Sequence, residues 1–119
     1  MANTFKVVTF AAEPNSAGTP YVVYTAGSGV TAIVLGLILG NTTTSQITST
    51  VTLTSDTSAR AGANDEANQA VELITDAPIP AGSSLELLSG NKVVLETTDT
   101  ISVTGSGATD VALSIMEIT

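Results

Sequence analysis

The sequence contains no cysteine, no histidine and no tryptophan, and it has three basic residues among its 119. Without cysteine, neither a disulfide framework nor a thiolate metal site can stabilise the fold, so stability must come from packing and backbone pairing. Without histidine the commonest general base is missing, and no lysine lies beside a serine in a recognisable motif. Nucleophilic catalysis by a serine is therefore not expected.

Positive charge and long apolar runs are also scarce. Eleven acidic residues give a net charge of −8, which opposes the phosphate neutralisation on which nucleic-acid binding depends. The longest apolar run, at 30–40, spans about half a bilayer and includes two glycines, so it predicts a buried strand and no membrane partner is expected. The N-terminus MANTFKVVTF lacks a basic region followed by a long apolar one, and we expect no secretory signal.

What the chain has in abundance is threonine, serine and valine. Charged residues are only 12% of the sequence, and hydroxyl side chains fill the polar positions. β-Branched residues favour extended backbone because their χ1 freedom is limited beside a helical turn. This composition indicates a strand-rich protein with a hydroxylated surface.

Short alternating segments separated by Gly, Pro, Asn and Asp predict the strands. In the clearest of them Ile47, Val51 and Leu53 share one face, Ser49 intrudes on that face, and threonines occupy the other. The nine segments are 4–10, 21–25, 31–39, 46–56, 70–75, 84–88, 92–96, 100–104 and 111–118. This pattern predicts an all-β fold, an antiparallel β-sandwich of about eight or nine short strands, immunoglobulin-like or jelly-roll-like, forming one domain over 1–119.

The connections give further expectations. Because Pro78 and Pro80 lack the backbone N–H that a central strand needs, the segment DAPIPAG is expected to be an extended edge connection. The turn SGN at 89–91 predicts a hairpin between the segments 84–88 and 92–96. With the segment 100–104 this hairpin would form a three-stranded meander. The segment 55–69 has no apolar periodicity and is expected to be an exposed loop.

The candidate contact residues are the aromatics Phe5, Phe10, Tyr21 and Tyr24, all within the first 24 residues. One interpretation is that they pack on the sandwich core or cover one end of it. The other is that residues 1–10 form a docking arm that inserts Phe5 and Phe10 into a neighbouring subunit. Unpaired backbone at a sheet edge can also accept a neighbour's strand, which adds the proline-bordered edge at Pro78 and Pro80 to the candidate interface.

Acidic residues offer weaker candidates. The pairs at 65–66 and at Glu96 and Asp99 could serve as acid and base, but four aromatics are too few to furnish a sugar-binding cleft. Loop charges and turn caps are the favoured interpretation. The segment NDEAN at 64–68 offers oxygen ligands in a spacing that matches no calcium motif. The sequon at 41–43 is uninformative without evidence of secretion. We therefore expect no catalytic residue, metal site or cofactor, and no enzymatic activity.

Several stretches carry a resemblance to a known family. TFKVVTF, the run YVVYTAGSGVTAIVLGLILGNTTTSQITSTVTLT, the run DAPIPAGSSLELLSGNKVVLETTDTISVTGS and the ending DVALSIMEIT together cover nearly the whole chain. They resemble small virion structural proteins of tailed bacteriophages, including marine cyanophages. The segment 55–69 looks like an elaboration on that plan.

The resemblance implies a non-enzymatic, multi-copy component of the virion. The expected form is a capsid decoration or cement protein, assembled in the host cytoplasm, which binds the major capsid protein on the outer capsid surface and stabilises the head. It also implies a homo-oligomer, with a trimer as one candidate. Two alternatives stay open: a tail, neck or fibre component that binds a host surface or glycan, and a hydrolase that uses carboxylates.

Overall fold

The computed structural model describes residues 2–11, 19–55, 68–88 and 92–119, and these ranges contain nine β-strands and no helix. The strands are β1 (Asn3–Phe10), β2 (Tyr21–Thr25), β3 (Thr31–Gly40), β4 (Ile47–Thr54), β5 (Val71–Ile79), β6 (Ser84–Leu87), β7 (Val93–Leu95), β8 (Thr100–Gly105) and β9 (Asp110–Ile118). Each of the nine predicted segments contains a strand, and the bounds differ by at most two residues except at β5, which continues four residues beyond the predicted end. The prediction of an all-β fold is confirmed.

The strands form two antiparallel sheets in which the first part of the chain pairs with the last. Sheet A has the order β1-β9-β3-β6, with β7 also paired to β3, and sheet B has the order β2-β8-β4-β5. Thus β1 pairs with β9, β2 with β8, β3 with β6 and β7, and β4 with β5. This is a long double strand folded over on itself, the arrangement of a jelly roll.

The core lies between the two sheets and is built from alternate residues of each strand. Because side chains alternate across a strand, every second position points inward along β4, β8 and β9. On β3 a register shift between Val34 and Gly36 moves this alternation by one position. The buried hydrophobic residues are Val23, Ala26, Ala32, Val34, Leu37, Leu39, Ile47, Val51, Ile79, Leu95, Ile101, Val103, Val111, Leu113 and Ile115. On β9, for example, Val111, Leu113 and Ile115 point inward and alternate with outward residues.

The central strand β4 shows the predicted alternation with its one polar exception. Ile47 and Val51 are buried, Leu53 packs against the core, and threonines occupy the positions between them. Ser49 is also buried, with 1% of its surface exposed, and its Oγ has no hydrogen-bond partner among the described residues. The prediction that Ser49 is the one polar residue on the inward face of this strand is therefore confirmed.

The predicted hairpin and meander between 84 and 104 are wrong. β6 pairs with Leu37–Gly40 and β7 with Ala32–Val34, so the two strands follow one another along the same edge of β3. β8 lies in the other sheet, between β2 and β4. With four and three residues, β6 and β7 are too short to form a stable hairpin alone, whereas the longer β3 offers both a partner. The turn residues 89–91 lie outside the described residues.

The proline-bordered segment lies at a sheet edge as predicted, but it belongs to a strand. β5 continues through Pro78 to Ile79 at the edge of sheet B, where Pro78 lies opposite Thr48. An edge strand tolerates proline because one side of its backbone is unpaired. The Ser83 N–H then donates to the Pro80 carbonyl at 3.1 Å, and Gly82 has a φ of 71°, as a type II turn requires. This turn carries the chain from sheet B to sheet A.

We predict that Ser49→Ala leaves the free energy of unfolding unchanged or raises it by about 1 kcal/mol, because the substitution removes a buried hydroxyl that makes no hydrogen bond. Urea unfolding measures the difference. The control is Ser102→Ala, which removes a hydroxyl from the outer side of sheet B and should change stability by less than about 0.5 kcal/mol. A loss above about 1 kcal/mol for Ser49→Ala would show that the buried hydroxyl is bonded in solution.

Candidate interaction surface

Sheet B turns a hydroxylated face outward. The register places Thr50 opposite Thr104 and Thr52 opposite Ser102, and hydroxyl pairs of this kind stabilise neighbouring strands. The outward positions of its two central strands are Thr48, Thr50, Thr52 and Thr54 on β4 and Thr100, Ser102 and Thr104 on β8. Hydroxyls are well solvated, so this side of the sandwich needs no covering partner.

Sheet A turns an apolar face outward. One cross-strand row runs through all of its width: Phe5 lies opposite Met116, Met116 opposite Ile33, and Ile33 opposite Val94. We call these four side chains, together with Val7 and Ile38, the apolar face. Phe5, Val7, Ile38 and Val94 are exposed by 71%, 64%, 44% and 57% respectively. They make up four of the six large hydrophobic side chains that are exposed in the described part of the chain.

The surface is recessed at the middle of the apolar face because the side chains there are small. Val7 lies opposite Ser114, and Ser114 lies opposite Gly36. A Cβ added at Gly36 would meet no atom within 4 Å. Two open depressions share Ile38, one of about 180 Å³ that also includes Gly36 and one of about 330 Å³ that reaches Ala112. The face is a gently hollowed sheet suited to a complementary surface.

Charge is confined to the margin of this face. Among the outward positions on the described strands of sheet A, only two carry a carboxylate: Glu86, paired with Ile38 on the β6 edge, and Asp110, paired with Gly40 at one end. The row from Phe5 to Val94 has no charge. An uncharged centre with a polar margin is the usual anatomy of a protein–protein contact.

At one side of the sandwich β1 and β2 meet along a seam that links the two sheets. The rings of Phe10 and Tyr21 are edge to face, with centroids 4.9 Å apart. The Lys6 Nζ lies 2.6 Å from Glu117 Oε1, and the Tyr24 hydroxyl donates to Glu117 Oε2 at 2.5 Å. One carboxylate on β9 therefore ties together β1, β9 and β2.

The seam changes the protonation of its members. The Lys6 ammonium, and then the Tyr24 hydroxyl, donate to the Glu117 carboxylate and lower its pKa below the ordinary 4.5. Burial, and then the hydrogen bond to Glu117, raise the pKa of Tyr24 well above its ordinary 10.0. Both shifts favour the arrangement in which Glu117 is ionised and Tyr24 is neutral.

The six residues predicted as an interface do not form one site. Phe10, Tyr21 and Tyr24 lie half-buried in the seam, packed against the core. Phe5 lies on the apolar face, because it is an odd number of positions from Phe10 and points the other way. Pro78 and Pro80 are exposed at the β5 edge of sheet B. Residues 3–10, predicted to belong to a docking arm, form β1 and pair with β9 along their whole length.

Sequence reasoning missed most of the apolar face. Ile33, Ile38, Val94 and Met116 were assigned to strands but not to a contact surface. One signal was available in β3, where TAIVLGLIL runs apolar without alternation, in contrast to β4. A strand that is apolar at successive positions has apolar residues on both faces, and in a two-sheet sandwich only one of those faces is covered by the other sheet.

The other sequence candidates have structural roles or lie outside the described residues. Asp99 Oδ2 accepts the backbone N–H of Glu96 at 3.0 Å and closes the turn between β7 and β8. Asn41, the sequon asparagine, is 2% exposed, and its Nδ2 donates to the carbonyls of Ser45 and Ile79. The acidic pair at 65–66, like all of 56–67, lies outside the described residues.

No group of three or more acidic, cysteine or histidine side chains close enough to hold a metal ion is found in the ranges that the structure describes. Those same ranges contain no helix with the length and apolarity needed to cross a membrane.

Comparison with known proteins gives one distant likeness. No protein-family model matches the chain, and no curated protein matches it. A solved structure from Bacillus endospore appendages, which form a family of disulfide-linked pili, is 16% identical to this chain. The match covers 99% of this chain and 87% of that one, with a TM-score of 0.46. A likeness this distant carries no argument about function.

We predict that the seam makes stability fall in acid. Because the pKa of Glu117 is lower in the folded chain than in the unfolded chain, the stabilisation is present above about pH 4.5 and is lost as the pH falls through the folded pKa. In Glu117→Gln the free energy of unfolding should therefore fall less than in the wild type between about pH 5 and pH 3. The difference between the two declines should be about 1 kcal/mol or less, because Lys6 is half-exposed and its ion pair is screened by solvent. Urea unfolding at several pH values measures this decline.

The control for the seam is Glu86→Gln, the same chemical change at an exposed position outside it. Its pH profile should follow that of the wild type. If the Glu117→Gln profile also follows the wild type, the ion pair makes no contribution to folding.

Proposed function

We propose that this chain is a non-enzymatic structural subunit that is mounted through its apolar face on the surface of a larger protein assembly. The observation that carries the proposal is the contrast between the outer faces of the two sheets. Both belong to one sandwich, yet the central positions of sheet B are hydroxylated while Phe5, Met116, Ile33 and Val94 form an apolar row across sheet A. Large exposed apolar patches on soluble proteins commonly mark contact sites.

The size of the face supports a protein partner. With strands about 4.8 Å apart and a rise of about 3.4 Å per residue, a sheet four strands wide and eight to nine residues long offers roughly 550 Å². Covering it would bury about 1,100 Å² over both partners, which is enough for a specific but modest protein contact. Many copies mounted side by side could each hold a modest contact of this kind.

Charge supports the same class of partner. A chain with a net charge of −8 is repelled by nucleic-acid phosphates and by anionic lipid surfaces. The carboxylates Glu86 and Asp110 stand at the margin of the apolar face and would remain hydrated around a protein contact. The hydroxylated face of sheet B would then form the outer, solvent-facing side of the mounted subunit.

The specific form that we propose is a capsid decoration protein bound to the major capsid protein on a virion surface. This form comes from the sequence resemblance to small virion proteins of tailed bacteriophages. Two of the carboxylates in the described residues, Asp99 and Glu117, are engaged in a turn and in the seam respectively, which supports a role without catalysis.

The test is the incorporation of a matched pair of variants into particles purified from cells that produce this protein. Gly36→Glu adds a charge in the middle of the apolar face, where the backbone leaves open space. Val22→Glu adds the same charge at a 51% exposed position on sheet B. Because burying an unpaired charge costs several kcal/mol, we expect Gly36→Glu to lower the copies per particle at least about tenfold and Val22→Glu to leave them unchanged.

Quantitative mass spectrometry of the particles measures those copies against the major capsid protein. Hundreds of copies of the wild-type chain per particle are expected for a decoration protein. Six to about twelve copies would instead indicate a tail or neck component. Equal incorporation of the two variants would contradict mounting through the apolar face.

A further inference from the structure

The two sheets have four edges, and three of them are interrupted. β5 contains Pro78, has Asp76 at a positive φ of 48°, and shifts register twice against β4. The opposite edge of sheet A is divided between the short strands β6 and β7. β2 has five residues and a register shift beside Val23. Prolines, bulges and short strands are the devices by which proteins prevent unwanted pairing at sheet edges.

The fourth edge, β1, lacks these interruptions. Its eight residues pair with β9 in continuous register, and it contains neither proline nor glycine. No strand in the described part of the chain pairs with its other side. A regular strand with one free side can accept a further strand through backbone hydrogen bonds.

On the outward face of β1, Phe5 and Val7 likewise have no cross-strand neighbour on that side among the described residues. Phe5 and Val7 are the two most exposed large hydrophobic residues in the described ranges, and both lie on this strand. They face β9 on one side only. An added strand would supply the missing cross-strand neighbours and extend the apolar face without a break.

We propose that β1 pairs antiparallel with β1 of a second copy of this chain, about a twofold axis, so that the two copies of sheet A become one continuous sheet. This inference goes beyond the proposed function and does not depend on it. A twofold contact uses the same strand on both partners, so one free edge is sufficient. Charge opposes a second copy less here than elsewhere in a chain of net charge −8, because residues 2–11 contain no carboxylate and their one charged residue, Lys6, is paired with Glu117.

Side-chain direction and charge select the register. The two apolar faces lie on the same side only if odd-numbered residues face odd-numbered residues. Pairing Phe5 with Val7 of the second copy would place the two Lys6 side chains directly opposite, which is unfavourable. If the twofold axis instead passes beside Val7, Val7 lies opposite Val7 of the second copy and Phe5 lies opposite Thr9 of the second copy. Thr4–Phe10 then overlap fully.

Lys6 is the feature that could oppose this pairing, since an inward-pointing charge on an edge strand normally prevents addition. Here its ammonium lies 2.6 Å from the Glu117 carboxylate, which also accepts the Tyr24 hydroxyl. Adding a strand would cover an ion pair that is already compensated within each copy. The seam thus allows the edge to be used.

The first experiment uses the absence of cysteine in the native chain. In Val7→Cys two thiols on the twofold axis would have Cβ atoms about 4.5 to 5.5 Å apart, close enough to form a disulfide after small adjustments. Val22→Cys, exposed on sheet B, is the matched control for random collision. We expect the disulfide-linked dimer of Val7→Cys to form at least about tenfold faster than that of Val22→Cys on addition of an oxidant. Equal rates would overturn the proposal.

The second experiment measures association of the wild-type chain by sedimentation as its concentration rises. We expect a monomer–dimer equilibrium that Val7→Lys weakens at least about tenfold, by placing like charges opposite each other, and that Val22→Lys leaves unchanged. A strict monomer, a trimer, or equal effects of the two substitutions would overturn the proposal.

A third comparison separates this inference from the proposed function. Gly36→Glu, designed to prevent mounting on a particle, lies away from the β1 edge and should retain the rapid cross-linking of Val7→Cys when the two are combined. Loss of cross-linking in the combined variant would indicate that two copies stack through their apolar faces, and would contradict edge pairing.

Discussion

The pairing of β3 with β9 is the constraint on which the rest of the sandwich depends. Leu37 lies opposite Leu113 and Leu39 opposite Val111, and all four side chains are buried. β1 adds to the free side of β9, and β6 and β7 add to the free side of β3. The pairing joins the first third of the chain to its last residues, so a long loop must close before the sheet can form. Such non-local pairing makes folding slow, but closure entropy grows only slowly with loop length.

The same pairing also determines which side chains of sheet A point outward. Once the paired residues Val34 and Ile115 point inward, their chain neighbours Ile33 and Met116 must point outward, where sheet B cannot cover them. Folding does not require apolar residues at those positions, because threonine serves at the equivalent outward positions of sheet B. Exposed apolar area promotes association. The internal architecture therefore does not account for the difference between the two faces, whereas the external contact that we propose would account for it.

Local patterns in the sequence predicted the strands and their inward residues, because alternation is a property of each strand alone. They did not predict partners, because pairing depends on which edges are free when the sheets assemble. Residues 84–88 and 92–96 look like a hairpin locally, yet both serve the edge of β3. The seam was also beyond sequence reasoning, since Lys6, Tyr24 and Glu117 are far apart in the chain and no local pattern links them. By contrast, alternation along β1 implies opposite directions for Phe5 and Phe10, and the apolar run of β3 implies an apolar outer face, but the sequence analysis drew neither conclusion.

The two contacts that we propose would reinforce one another through Phe5 and Val7, which belong both to the apolar face and to the free edge. Backbone pairing at the edge sets the orientation of two copies, while the face supplies apolar area. A pair joined at β1 would present two apolar faces side by side, so that mounting of the first raises the effective concentration of the second. The net charge of −8 per chain opposes association elsewhere on the surface. Because the β1 edge has no carboxylate and the apolar face has carboxylates only at its margin, repulsion is weakest where contact is most favourable.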